Sequence, residues 1–382
     1  MRTSSQPLAL GADIKSTFSL SVSGNTYVSQ YHGDLSSFDN LLQFEQNREQ
    51  LTKLLQFQPD LILTDKHPAY ASVRLGKQLA QKLAVPIMHV QHHEAHFAAV
   101  LAENKLLEST EPVLGVIWDG SGLGNDGLIR GGEFLQLRHC SISLVAQLAP
   151  FAHLLGDKMA REPRIAALAL CQGMAGADRI LQEKFTQTEW TLYQGMLHTD
   201  RSLLQTTSMG RAFDAAAALI GLCERMSYEG EAAMLLESVA SRVARIYDLQ
   251  GYELDESVSG NIAVKGIFQQ LIRDVQQGLS QVRMAAKFHV TLVQLIRKVA
   301  TRLGIYKIAF SGGVFQNSLL VDLLLHKLSP NFDLFFHRQL PPNDECISLG
   351  QLSWLLLHEK QREQATARQP AQQQAENQTL KV

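Results

Sequence analysis

The chain has 382 residues, 45% hydrophobic and 19% charged, with a formal net charge of -2. That length supports one large or two medium domains, and the near-neutral charge argues against a protein that holds bare nucleic acid by neutralising phosphates. The N-terminus lacks an apolar signal core, no apolar run reaches membrane-spanning length, and Cys140, Cys171, Cys223 and Cys346 form no C-x-x-C pair. These features exclude a zinc finger and predict no membrane association, no disulfide framework and a cytosolic compartment.

Short alternating runs over residues 8–13, 17–22 and 26–31 predict three strands, split by turn residues such as Ser23-Gly24-Asn25. A helix over 41–57, a strand over 59–64, a helix over 73–83 and a strand over 85–90 follow. His92 and His96 come next, four apart on a helix, so their imidazoles project from one face. The pattern then restarts with strands over 112–119, 127–137 and 142–148. A mostly helical stretch (157–303), a buried strand (305–310), a helix (313–327), a strand (332–336) and a helix (347–358) complete it. A meander followed by α/β elements, twice over, predicts two similar lobes. The expected boundaries are 1–108 for the first lobe and 109–345 for the second with its helical insertion. A terminal helix over 346–358 and a disordered tail over 359–382, rich in Gln, Ala and Glu, follow.

Several polar clusters carry chemistry. His92 and His96, with Asp119 at the end of an apolar run and Asp344 after Leu340-Pro341-Pro342-Asn343, offer two imidazoles and two carboxylates. Such a set suits a divalent transition metal with a position left for substrate. The glycine cluster from Gly120 to Gly127 formally contains the dinucleotide fingerprint, but a strand rather than a helix follows it. An EF-hand fails as well, because Arg130 stands where the last ligand belongs. A hairpin turn whose N–H groups can hold phosphate is what remains. Ser311-Gly312-Gly313 joins a buried strand to a helix, which lets a ligand approach backbone at a helix N-terminus. Gly156-Asp157-Lys158 and Arg161-Glu162-Pro163-Arg164 read either as a solvated helix start or as a phosphate or carbamate clamp.

Taken together, VQHHEAH, DGSGLGNDG with GGEFL, GDKMAREP, GRAFDAAAALIGLC, YEGEAAMLLE, SGGVFQN and PPND closely resemble the carbamoyltransferase domain of the HypF hydrogenase-maturation family. GADIKSTF, HGDL and DKHPAY fit too, so the resemblance runs from about residue 8 to residue 357. It implies an α/β, two-lobed actin and sugar-kinase-like (ASKHA) fold with duplicated RNase H-like lobes. It also implies that His92, His96, Asp119 and Asp344 bind iron or zinc and that Gly120, Ser121 and Gly122 contact phosphate. Asp214, Gly230, Gly312, Gly313 and Asn317 would line the adenosine side, with ATP, AMP or carbamoyl-adenylate as ligand. Lys15, Lys158 and Arg161 would assist the chemistry. The implied reaction passes the carbamoyl group of carbamoyl-adenylate to the C-terminal cysteine of a HypE-like partner, toward the cyanide ligands of nickel-iron hydrogenase.

Three departures stand out. Family proteins carry acylphosphatase, C-x-x-C zinc-finger and adenylate-forming domains before this region. None is present here, so a separate YrdC-like protein is expected to supply the donor. Glu345-Cys346 replaces a pair of glycines after Asp344, and either side chain is placed to crowd the metal or to ligate it. Arg164 follows the REP segment without the usual tryptophan between. A non-catalytic adenylate- or metal-binding scaffold and a tRNA threonylcarbamoyl transferase are the alternative readings.

Overall fold

The alternating N-terminal runs form β1 (Pro7–Ala9), β2 (Ser19–Val22) and β3 (Asn25–Val28). The computed structural model describes residues 5–199, 203–255 and 260–379. Helix and strand then alternate through α1 (Phe38–Leu54), β4 (Leu61–Asp65), α2 (Ala71–Leu83), β5 (Ile87–Val90) and α3 (His92–Glu103). The second round opens with β6 (Val113–Leu123), β7 (Ile129–Arg138), β8 (Ser141–Leu148) and β9 (Phe151–Ala152). Its helical region comprises α4 (Asp157–Arg161), α5 (Pro163–Leu170), α6 (Ala177–Leu181), α7 (Gln187–Thr199), β10 (Gln205–Thr206), α8 (Met209–Leu219) and α9 (Glu231–Ala240). β11 (Gly260–Ile262), α10 (Lys265–Gln276) and α11 (Gln281–Leu303) complete that region. The chain ends with β12 (Lys307–Ser311), α12 (Ser318–Leu328), β13 (Asp333–Phe335) and α13 (Ile347–Thr379).

The chain divides into two compact units. The first comprises Met1–Val113, Gln136–Ser143 and His337–Val382, and the second comprises Leu114–Leu135 and Leu144–Phe336. In the first unit the strand order is β3-β2-β1-β4-β5. β1, β2 and β3 pair antiparallel, whereas β1–β4 and β4–β5 are parallel. The two-residue period divides its core cleanly. Leu8, Leu10 and Ile62 pack with Phe18, Phe44 and Leu75 in one cluster, while Ala9, Leu61 and Leu63 meet Leu352 and Leu355 of α13 in another.

In the second unit the order β8-β7-β6-β12-β13 repeats that of the first, with β11 added beside β8. Its core joins Trp118, Phe134 and Phe315 to the helices, where the alanine-rich faces of α5 and α8 pack together. Among the described residues, no helix is long and apolar enough to cross a membrane.

Four boundaries differ from the sequence expectation. β6 continues to Leu123, so Gly120, Ser121 and Gly122 lie in a strand, and the turn comes later. The helical stretch also contains the short strands β10 and β11, whose few residues give no readable period. Residues 337–345 and α13 belong to the first unit, where the second lobe was expected to extend to 345. The last helix continues past His358 to Thr379, because Gln, Ala and Glu are good helix formers even without an apolar face. Residues 1–4 of the expected leaderless N-terminus and residues 380–382 of the expected tail lie outside the described residues.

Candidate metal centre

α3 begins directly after β5. Its N-cap Gln91 accepts the Glu94 N–H at 2.8 Å, which satisfies one of the free donors of the first turn. His92 and His96 occupy one face with ring centroids 4.9 Å apart and are 1% and 0% exposed. Asp344 opens a 3-10 turn, Asp344–Cys346, capped by Asn343, whose Oδ1 accepts the Glu345 N–H at 3.0 Å. The Nε2 atoms of His92 and His96 each lie 3.6 Å from Asp344 Oδ1.

The outer nitrogens fix the character of the inner ones. His92 Nδ1 lies 2.8 Å from Asp65 Oδ2, and a carboxylate there requires the proton on Nδ1. The Nε2 lone pair of His92 then points toward another carboxylate, Asp344, at a distance too long for a hydrogen bond. Lone pairs facing a carboxylate repel unless a cation joins them. Two imidazole nitrogens and one carboxylate oxygen are donors of the kind that would suit zinc or iron, and Asp65 is placed as the carboxylate that orients such a histidine. Asp65 ends β4, and its register partner across the parallel β4–β5 pair is Val90, two residues before His92.

Other residues hold this arrangement in place. Tyr70, the N-cap of α2, has its hydroxyl pushed well above the usual phenol range by burial and by the nearby carboxylates of Asp65, Asp344 and Asp13. Asp13 accepts the N–H groups of Ala71 and Ser72 at 2.7 and 2.9 Å and so caps α2. Lys15, the expected catalytic cation of this unit, sits half-buried in the loop after β1 with a φ of 51°. Glu345 points its carbonyl at the Thr17 hydroxyl, 2.8 Å away, and its carboxylate toward Asn343. Cys346 is wholly buried with Sγ 3.3 Å from His96 Nδ1.

In the second unit, Asp119 is 8% exposed, and its Oδ1 accepts the Gly313 N–H at 3.1 Å. The glycines around it admit backbone. A Cβ at Gly312 would stand 2.2 Å from the Trp118 carbonyl oxygen, one at Gly131 would stand 2.5 Å from that of Asp119, and one at Gly210 would stand 2.9 Å from the Gly120 Cα. Ser208 Oγ donates to the Asp119 and Gly120 carbonyls and accepts the Arg211 N–H, capping α8. The expected ligand role of Gly312 therefore has a packing explanation.

Asn317 is also occupied. It caps α12 by accepting the Leu320 N–H at 2.8 Å, and its amide lies 3.0 Å from His289 Nε2. Asp214 pairs with Arg211 at 2.6 Å inside the protein, and burial raises its carboxyl to about 6 against the pull of that arginine. Gly230 has a φ of 81° with nothing within 4 Å of its missing Cβ, so it is the open position among the expected ligand contacts.

The cations after β9 divide. Lys158 donates to the Tyr193 hydroxyl at 2.8 Å, and Arg161 is exposed at the end of α4. Arg164 contradicts the clamp reading: it is 2% exposed and pairs with Glu162 and Glu189 at 2.6 and 2.8 Å. Those bonds hold the Glu189 carboxyl down at about 2. Glu133, which sequence reasoning did not single out, is 1% exposed and accepts from the Thr207 hydroxyl at 2.6 Å and the Gly131 N–H at 3.2 Å. Burial nonetheless raises its carboxyl to about 7.

Residues 115–351 match the family described as "Carbamoyltransferase, Kae1-like Domain, second subdomain", and residues 2–103 match the "HypF Kae1-like domain". The chain is 36% identical over 374 residues to Carbamoyltransferase HypF of Synechocystis sp., an alignment covering 92% of this chain and 47% of that protein. It is 32% identical over 366 residues to the Carbamoyltransferase HypF homolog of Cupriavidus necator, covering 91% of this chain and 90% of that one. A solved full-length HypF in the phosphate- and nucleotide-bound form superposes with a TM-score of 0.81 at 30% identity, covering 93% of this chain and 55% of that one. For the T. kodakarensis HypF the TM-score is 0.82 at 28% identity, with 93% and 48% covered. The chain thus spans about half the length of the longer relatives it matches. The fold is the α/β actin and sugar-kinase-like one that the family resemblance implied.

Proposed function

We propose, for a chain that belongs to the HypF carbamoyltransferase family, that it transfers a carbamoyl group from carbamoyl-adenylate to the C-terminal cysteine thiolate of a HypE-like acceptor. The observation that carries the reading is the convergence of His92 Nε2 and His96 Nε2 on Asp344 Oδ1, with Asp65 fixing the outer nitrogen of His92. His92, His96 and Asp344 would hold a divalent zinc or iron ion, and Asp119 is the fourth ligand that the family resemblance implies. When bound, the ion supplies positive charge that stabilises negative charge developing on the carbamoyl oxygen or phosphate.

The chain's own residues bind and orient. Open backbone at Gly230, the strand end Gly120-Ser121-Gly122 and the Gly312-Gly313 turn are the proposed adenylate contacts, beside Asp214 and Asn317, whose side chains shape the walls. A solved full-length HypF, 55% of which this chain covers, is in a phosphate- and nucleotide-bound form, which supports nucleotide binding in the family. Lys15, Lys158 and Arg161 are the cations proposed to assist the chemistry. In the reaction, the acceptor sulfur forms a bond to the carbamoyl carbon, the bond from that carbon to the phosphate oxygen breaks, and AMP leaves. The acceptor cysteine attacks as the thiolate, its proton having gone to water, and becomes an S-carbamoyl group. The carbamoyl-adenylate itself would come from a YrdC-like adenylate-forming domain or protein, and the product would feed cyanide-ligand synthesis for nickel-iron hydrogenase.

Supplying carbamoyl-adenylate and following AMP release with and without the acceptor tests the reading. Acceptor-dependent AMP release supports transfer, whereas adenylate binding without release supports a scaffold.

A further inference from the structure

We infer that Cys346 is a positioning residue for the metal centre: its sulfur accepts the Nδ1–H of His96 and so turns the Nε2 lone pair of that ring toward the cation. The inference rests on the metal-centre reading above. Cys346 is the third residue of the turn that Asp344 opens, and its own N–H donates to the Asn343 carbonyl at 3.1 Å. It is 0% exposed, so its place is set by packing. Its Sγ lies 3.3 Å from His96 Nδ1, within reach of a hydrogen bond to sulfur.

Two arrangements of the proton fit that distance, and they have opposite consequences. If the thiol donates its S–H to Nδ1, the ring proton sits on Nε2, which is the nitrogen 3.6 Å from Asp344 Oδ1, and His96 cannot ligate. If the sulfur accepts, Nδ1 carries the proton and Nε2 is free to bind a cation. His92 decides between them. Its Nδ1 is held as a donor by the Asp65 carboxylate, and its Nε2 meets the same Asp344 oxygen at the same 3.6 Å. The two rings are therefore equivalent toward Asp344, with a carboxylate behind one and a thiol behind the other. The sulfur sits behind the Nδ1 side of the ring, so it supports a ligand instead of being one. Sulfur is the weaker acceptor, which leaves His96 the less firmly oriented of the pair.

The test uses the full chain with isotope-labelled imidazoles. In the metal-free protein, nitrogen-resolved NMR reads the His96 tautomer for wild type, Cys346→Ser and Cys346→Ala. The expected result is a larger Nδ1–H fraction in wild type and Cys346→Ser than in Cys346→Ala, because the Asp344 carboxylate pulls the ring proton toward Nε2 in every metal-free form. Zinc titration should then show about a tenfold loss of affinity for Cys346→Ala, restored by Cys346→Ser. An equal Nδ1–H fraction in wild type and Cys346→Ala overturns the inference. So does a thiolate-to-cobalt charge-transfer band in the cobalt-loaded wild type, which would make Cys346 a ligand. Failure of every form to bind metal would sink the metal-centre reading instead, because the tautomer is measured without metal.

Discussion

Glu103 and His337 join the two ends of the segment that matters most in the first unit. Glu103 Oε1 lies 2.7 Å from His337 Nδ1, and its other oxygen accepts the N–H groups of Arg338 and Gln339 at 2.7 Å each. Burial works against that carboxylate, but these bonds hold it below its ordinary range. α3 thus carries His92 and His96 in its first turns and, at Glu103, clasps the stretch that leads to Asp344. One rigid helix sets the spacing between the imidazoles and the carboxylate.

Glu103→Ala is therefore expected to destabilise the protein by about 3 kcal/mol, since a buried imidazole and two backbone N–H groups lose their acceptor. Urea unfolding measures this. Zinc affinity, measured on the folded protein, should fall as well, whereas an unchanged affinity would mean that Asp344 is positioned without the clasp.

Asp65→Asn should leave the fold intact and weaken metal binding by about 10- to 100-fold, because the amide can no longer hold the His92 proton on Nδ1 as firmly. His96→Ala, which deletes a ligand, should abolish stoichiometric metal. Elemental analysis and competition titration read both variants. Equal metal content in His96→Ala and wild type would remove the proposed centre.

The buried Glu133 makes stability depend on pH. Its folded carboxyl titrates at about 7, above its ordinary value of 4.5, first because of burial and against the Thr207 and Gly131 hydrogen bonds. Between those values the folded state holds a proton that the unfolded state has released, so stability falls as pH rises from about 4.5 through 7. The loss is on the order of 3 kcal/mol and is complete above 7. Glu133→Gln should remove this contribution, and its unfolding midpoint should gain on that of wild type across the window. Parallel midpoint curves would contradict the assignment.

Gly312 and Gly230 should separate packing from binding. Gly312→Ala combines a φ of 102° with a Cβ 2.2 Å from the Trp118 carbonyl oxygen, so destabilisation of about 3 kcal/mol or more is expected. Gly230→Ala has a φ of 81° but open space, so the cost should be about 1 kcal/mol. If the adenylate approaches Gly230, AMP affinity should drop in that variant while the fold survives. Calorimetry checks this, and unchanged AMP affinity would remove Gly230 from the binding surface.

The succession of strands was legible because Leu8, Leu10 and Ile62 alternate with Ala9, Leu61 and Leu63, a period that survives in short segments, whereas their order in the sheet was not. The pairing of His92 with Asp65 was not legible, since it depends on β4 and β5 lying parallel. Cys346 was flagged as a neighbour of Asp344 placed to crowd the metal or to ligate it, but not as a partner of His96, because that contact links residues 250 positions apart. The glycine-rich run was misread locally: glycine serves close backbone approach and ligand approach equally well, and only the position of the Trp118–Gly120 strand distinguishes them. Arg164 was grouped with its cationic neighbours, and its burial came from Glu189 on a helix that composition alone could not place beside it.

The most direct test of the account is mass spectrometry of the acceptor. Wild-type protein, loaded with zinc or iron and given carbamoyl-adenylate and a HypE-like partner, should add one carbamoyl group to the partner's C-terminal cysteine. Asp344→Ala should lose that mass increase, and replacement of the partner's cysteine should lose it too. An unmodified partner in the presence of bound adenylate, or a modified tRNA in its place, would contradict the account.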